Sequence, residues 1–223
     1  MQCIYAVYIY LITVLHKKLQ KVYVAHMRTE QKEPARYHHG NLRQALLAAA
    51  RRLLEAEGHS NLSLRKCAEA VGVSATAPQN HFPNKAALLT ALAAEGYAEL
   101  ETYMRRGIEN TADRNARRNA ALLGYVAFAQ DYPALYELMF ARDRISSNDP
   151  ELLRHVRACF AILAENSKDF GRFAGDEEKV AARQQMFLWS LVHGYAQLLT
   201  ANRFKKESMI GESILDILPD LRF

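Results

Sequence analysis

Between Asn41 and Lys85 the chain starts and stops a helix repeatedly at short range. Asn41 stands where a capping residue is wanted. Leu42, Ala45, Leu46, Ala49, Leu53 and Leu54 then recur along one face, with Arg43, Gln44, Arg51, Arg52 and Glu55 on the other. Gly58 is placed to end that helix. Ser63 caps a second, short one with Leu64, Cys67, Ala68 and Val71 on its apolar face, and Gly72 ends it. Ser74 opens a third that runs to about His81, before Pro83 and Asn84 introduce a long helix over about 85–109. Side chains at these intervals share a face at the helical period, so the segment reads as helical. The remainder follows suit, with helices predicted over about 114–130, 133–142, 149–170, 176–202 and 208–218. Composition agrees: 34 Ala and 28 Leu stand against 10 Val and 9 Ile, and glycine and proline are sparse at 10 and 6 residues. Ala and Leu lose little freedom in a helix, whereas Val and Ile are stiff and favour strands. The expected fold class is all-α.

The net charge of +5 is modest, but it is unevenly placed. Residues 1–26 carry +3, residues 27–90 carry +4 and residues 91–223 carry −2. A basic front end on a mildly acidic remainder suits a polyanionic partner. Ordinary solvated charge is the bland alternative.

Residues 1–26 differ from the rest. They hold four of the eleven tyrosines, and their apolar run over 3–15 is shorter than the roughly 20 residues a membrane span needs. The basic residues Lys17, Lys18 and Lys21 follow that run rather than precede it, against the order of a signal peptide. The composition favours Met27 as the start and 1–26 as a misread extension, with a short membrane anchor as the weaker reading. Cys3, Cys67 and Cys159 show no pairing pattern, which fits a reducing cytoplasm.

The informative segment is 63–82. Two short helices around a glycine-containing turn have the outline of a helix-turn-helix, and a plain corner between bundle helices has the same spacing. Ala68 is small where the helices cross, Gly72 can take a positive φ, and Val73 can plug the gap. Ser74, Thr76, Gln79, Asn80 and His81 then offer hydrogen-bonding groups of the kind base edges and phosphates require. Arg65 and Lys66 suit either a phosphate contact or plain exposure. Arg36, His38 and His39 lie ahead of the first helix. The adjacent histidines lack the further ligands a metal site needs.

The run Ser63-Leu64-Arg65-Lys66-Cys67-Ala68-Glu69-Ala70-Val71-Gly72-Val73-Ser74, followed by His81-Phe82-Pro83-Asn84-Lys85-Ala86-Ala87-Leu88-Leu89, resembles the DNA-binding domain of the tetracycline-repressor (TetR) family of bacterial transcriptional regulators. The detailed likeness covers about 37–97. The lead Tyr37-His38-His39-Gly40 and the later Trp189-Ser190-Leu191-Val192-His193-Gly194 resemble a subgroup named for a Trp-His-Gly C-terminal domain. The resemblance implies a cytoplasmic homodimer with a three-helix DNA-binding head and a helical body that pairs through its last two long helices. It further implies a double-stranded DNA operator, a small-molecule effector held in the body, and repression that the effector relieves. By this likeness Lys85 reaches a phosphate. Two departures touch the DNA contacts. Gln79 replaces an aromatic, usually Tyr, and Pro78 removes a backbone donor from the recognition helix. Tyr125, Phe128, Met139, Phe160, Met186 and Trp189 are candidates for lining the effector pocket, with plain core as the alternative. His193 and Gly194 read as packing residues.

An enzyme is the competing class, but the chain carries no nucleophile elbow, phosphate-binding glycine loop, zinc-protease helix or di-metal bundle motif. No catalytic residue, metal or cofactor is expected. The expected layout is an extension over 1–26, a helix-turn-helix domain over 27–84, and a ligand-binding and dimerisation domain over 85–223. A membrane-tethered helical sensor is the remaining alternative.

Overall fold

Residues 41–201 and 213–217 are described in the computed structural model, where Ser63 and Asn84 begin helices as the sequence predicts. Eight α-helices occur among them: α1 (Leu42–Asn61), α2 (Leu64–Val71), α3 (Lys85–Arg105), α4 (Arg114–Asp131), α5 (Pro133–Met139), α6 (Pro150–Asn166), α7 (Glu177–Thr200) and α8 (Ile214–Ile217). Two 3-10 turns, Ala77–Asn80 and Ile108–Asn110, complete the order, and no strand occurs among the described residues. Ser63, Asn84, Asp113, Asp149 and Asp176 each accept a hydrogen bond from a first-turn amide, which satisfies a group the helix leaves unpaired. Acidic caps also suit the positive end of the helix dipole.

Asn41 departs from this pattern. Its ψ of 33° is not the extended value that aims a capping side chain, and only its carbonyl is used, accepting from Ala45 N at 3.1 Å. Gly58 interrupts α1 at φ 75° as expected, but one more turn follows before the chain leaves the helix. The long α3 stops at Arg105, short of 109, and its tail becomes the 3-10 turn. Of the helix expected over 208–218, residues 208–212 and 218 lie outside the described residues. So do residues 1–40, with Met27, Arg36, His38 and His39 among them.

α3 is the spine. It packs against α4, α5 and α6 in the body and against α1 in the head. The core runs without a break from Leu46 and Leu54 in α1, through Leu88 and Leu92 in α3, to Leu188 and Val192 in α7. Two glycines allow close approaches along α3. Gly96 receives the Met139 side chain, and Gly124 of α4 lies directly on the Tyr103 carbonyl of α3. Cys67 in the head and Cys159 in the body are both buried and free.

Polar groups lock the head to the body. Glu55 of α1 accepts from Ala134 N (3.2 Å) and Leu135 N (2.9 Å), closing the open end of α5. Burial raises the Glu55 carboxyl above the ordinary range, against the pull of those two amides and of Arg51. Arg51 pairs with Glu99 of α3, and its guanidinium lies 4.3 Å from the centre of the Tyr132 ring. No described helix is long and apolar enough to cross a membrane.

Candidate nucleic-acid interface

The turn between α2 and the following segment is set by Gly72. It adopts φ 78° and ψ 33°, and its amide donates to Ala68 O at 2.9 Å and Glu69 O at 3.2 Å. A Cβ there would meet nothing within 4 Å, so glycine is required for its backbone angle rather than for space.

The expected recognition helix from Ser74 to His81 is instead the 3-10 turn Ala77–Asn80. The cause is Pro78, which has no N–H to give to the Ser74 carbonyl. Ala77 N takes that carbonyl at 3.1 Å, Gln79 N bonds Thr76 O at 3.1 Å, and His81 N bonds Pro78 O at 3.0 Å. Each bond spans three residues, so the turn winds tighter than an α-helix. Ser74 does not cap it, and its Oγ lies 3.3 Å from Thr76 Oγ1.

The turn is nevertheless firmly held. Pro78 is buried, and its carbonyl also accepts from Phe82 N at 2.9 Å. Phe82 is 2% exposed, with the Arg43 guanidinium 5.3 Å from its ring centre. Ser74, Thr76, Gln79, Asn80 and His81 all remain exposed on this rigid base.

The cations nearby are already engaged. Arg65 Nε donates to Glu69 Oε1 at 2.9 Å, and Lys66 Nζ donates to Glu57 Oε2 at 2.6 Å. Lys85 Nζ donates to Ser60 O at 3.3 Å. Glu57 and Glu69 were not singled out in the sequence. The four-residue interval from Arg65 to Glu69 is a readable helical pair, whereas the Glu57–Lys66 pair joins two helices and leaves no local trace. If these cations meet a DNA backbone, a carboxylate beside them competes with its phosphates. Glu57→Gln and Glu69→Gln are therefore expected to tighten binding to any duplex, by up to about fivefold each at low salt. Fluorescence anisotropy on random and selected duplexes checks this, and weaker binding would contradict it.

In the body, the six candidate pocket residues divide. Tyr125, Phe128 and Met139 are no more than 2% exposed. Phe128 meets Tyr103 edge-on at 5.7 Å. The Phe160 and Trp189 rings are 4.9 Å apart. Met186 stands outside this group, 56% exposed on α7. The structure gathers Tyr125 and Trp189, with Phe160 behind Trp189, around a residue read as mere packing, His193. Its Nδ1 lies 3.0 Å from the Tyr125 hydroxyl and 2.9 Å from that of Tyr136. Phe140 meets the same imidazole at 4.4 Å between centroids. Tyr136 had no sequence signal, since its proximity to α7 depends on how α5 folds back.

Burial lowers the His193 pKa below its ordinary 6.5. The unfolded ring takes its proton first, so this group's stabilising effect is complete above about pH 6.5 and is lost as pH falls toward the folded value. His193→Asn keeps a δ-position acceptor but does not titrate. The stability difference between wild type and variant, followed by urea unfolding from about pH 7.5 to 5, should shrink as the pH drops.

Comparison with known proteins agrees with this geometry. Residues 46–92 match the bacterial regulatory proteins of the tetR family, and residues 118–218 match the tetracyclin repressor-like C-terminal domain. Nucleoid occlusion factor SlmA of Vibrio vulnificus strain YJ016 is 31% identical over 152 residues, 65% of this chain and 78% of that protein. A solved protein of unknown function from Rhodococcus sp. RHA1 is similar at a TM-score of 0.67 and 29% identity, over 82% of this chain and 93% of that one. A tetR-family regulatory protein from Rhodococcus RHA1 shares the fold at a TM-score of 0.52 and 19% identity, over 74% and 93% of the two chains.

Proposed function

The chain belongs to the TetR family of bacterial regulatory proteins, and from that premise we propose that it is a cytoplasmic homodimeric repressor released from its operator by a small molecule. It is a DNA-binding transcriptional regulator, and its reading surface is the exposed row Thr76, Gln79, Asn80 and His81. The observation that carries this reading is the turn itself. Its base is buried through Pro78 and Phe82 while its polar side chains face outward. Rigid placement of a few donors and acceptors is what direct base readout needs. Arg65 and Lys85 supply backbone contacts, which fix register without reading sequence.

Dimerisation through α7 is supported by its outer face. Phe187 and Leu198 are 39% and 46% exposed, and they share a helical stripe with Gly194. A Cβ at Gly194 would meet nothing within 4 Å, which leaves room for a second helix. The effector would sit in the aromatic group around His193, a reading supported by the apolar rings of Phe160 and Trp189 and the polar atoms of Tyr125 and His193. The remaining candidates, Phe128, Met139 and Met186, serve as inner core and outer face. Effector and operator would then favour different arrangements of head and body, each weakening the other's binding.

Selection of bound DNA from a random pool gives the operator and tests the reading. Gln79→Ala and Asn80→Ala are then expected to lower operator affinity by about 1–3 kcal/mol while sparing random DNA. Lys85→Ala should weaken both alike and reduce the salt slope by about 1. Equal losses on both DNAs for all three variants would place the reading surface elsewhere.

A further inference from the structure

A cleft of about 380 Å³ opens between head and body, away from the aromatic group around His193. Its head side carries Arg43 of α1 with His81 and Phe82, and its body side carries Asp149 and Glu151 at the start of α6. The methyl groups of Ala86, Ala87 and Ala91 on α3 line it between those two sides. The body wall is fixed in place, because Ser146 N donates to Thr90 Oγ1 at 2.9 Å and Asp149 N donates to Ser146 O at 3.2 Å.

The cleft is closed at one point by an ion pair, Arg43 Nη2 to Glu151 Oε2, at 3.8 Å. That separation is long beside the 2.7–2.9 Å or so of a good charged hydrogen bond, and both side chains remain well exposed, so the pair is weak and readily replaced. The charged groups of the cleft are Arg43 on the head side and Asp149 and Glu151 on the body side, so it offers a cationic and an anionic pole a few ångströms apart. A molecule with both charges gives each side chain a new partner. The alanine lining leaves room for a small side chain.

We propose that this cleft binds a small amphoteric molecule of the α-amino-acid class, its carboxylate on Arg43 and its ammonium on Glu151, and that occupancy changes operator affinity through His81 and Phe82. Those two residues are hydrogen-bonded through their amides to Pro78 in the reading turn, at 3.0 and 2.9 Å. A ligand that touches them acts on the turn without crossing the body. The binding half of the proposal stands on the cleft alone. The coupling half rests on the turn being the DNA reader.

The test is calorimetric titration of the full chain with L-alanine, L-leucine, L-glutamate and L-lysine, with acetate and methylamine as single-charge controls. Saturable heat is expected for at least one amino acid and for neither control. Glu151→Gln and Ala86→Leu should each weaken that binding by about tenfold or more. Ala86 is exposed on α3, so leucine there fills the cleft without entering the core. Saturating amino acid should shift operator affinity by about fivefold or more. Absence of heat for all four amino acids, equal heat from acetate or methylamine, or binding unchanged in both variants would overturn the site. Binding that leaves operator affinity unchanged would overturn the coupling. A chain that selects no operator at all would defeat the proposed function, while the titration would still judge the cleft.

Discussion

Replacing Phe82 by alanine is expected to cost about 3–5 kcal/mol of folding stability and to abolish operator binding at temperatures where the body remains folded. Phe82 is among the largest fully buried side chains, and it closes the reading turn onto the head. Its amide holds the Pro78 carbonyl at 2.9 Å, and its ring supports Arg43. Truncation would leave a cavity beneath a segment of four 3-10 residues that has few internal bonds of its own. Phe82→Leu, which keeps most of the volume, should recover the larger part of both stability and binding. Urea unfolding and operator anisotropy on the two variants provide the check. Full operator affinity in Phe82→Ala would show that the turn does not depend on this ring.

Gly124→Ala is expected to destabilise the body by about 3 kcal/mol or more, although alanine is the better helix former by about 1 kcal/mol. A methyl at Gly124 would run into the Tyr103 carbonyl oxygen, and it would lie 2.6 Å from Tyr103 C and 2.9 Å from Met104 Cα. Those are backbone atoms in the last turn of α3, so no side chain can swing aside. α4 would have to lift from α3, carrying with it Tyr125 and Phe128, which pack in the core. Thermal and urea unfolding of the variant measure the effect. A rise in stability, as propensity alone would give, would mean that the crossing yields more easily than its backbone contacts imply.

These two positions also show what a reader of the sequence can and cannot see. Helix starts were legible because a cap is a local event. Ser63, Asn84, Asp149 and Asp176, at which helices were predicted to begin, all accept from amides three residues on. The Gly72 turn was legible for the same reason. Asn41 was misleading, since a capping residue type does not guarantee the extended backbone that capping needs. The segment after Ser74 was read as a helix because its polar residues fall at helical spacing, and the single missing donor of Pro78 was given too little weight. The pairs that restrain the cations were half legible. Glu69 lies on the same helix as Arg65, but Glu57 meets Lys66 only once α1 and α2 are packed. The same limit hid His193 among its tyrosines and Gly124 beneath Tyr103. Both depend on where one helix crosses another, which pattern along a chain does not encode.

Cys67 and Cys159 give the protein a pair of built-in clocks. Burial pushes the Cys67 thiol up to about 11 and the Cys159 thiol, which donates to Tyr97 O at 3.2 Å, up to about 12. An alkylating reagent attacks the thiolate, so in the closed protein each sulfur is both shielded and chemically silent. Labelling must wait for its surroundings to open. One sulfur lies on α2 in the head and the other between α3 and α6, so their two labelling rates time the opening of the head and of the body separately. With Cys3 replaced by serine, a duplex that slows only the first clock and an effector that slows only the second would let the same molecule report which of its halves each ligand steadies.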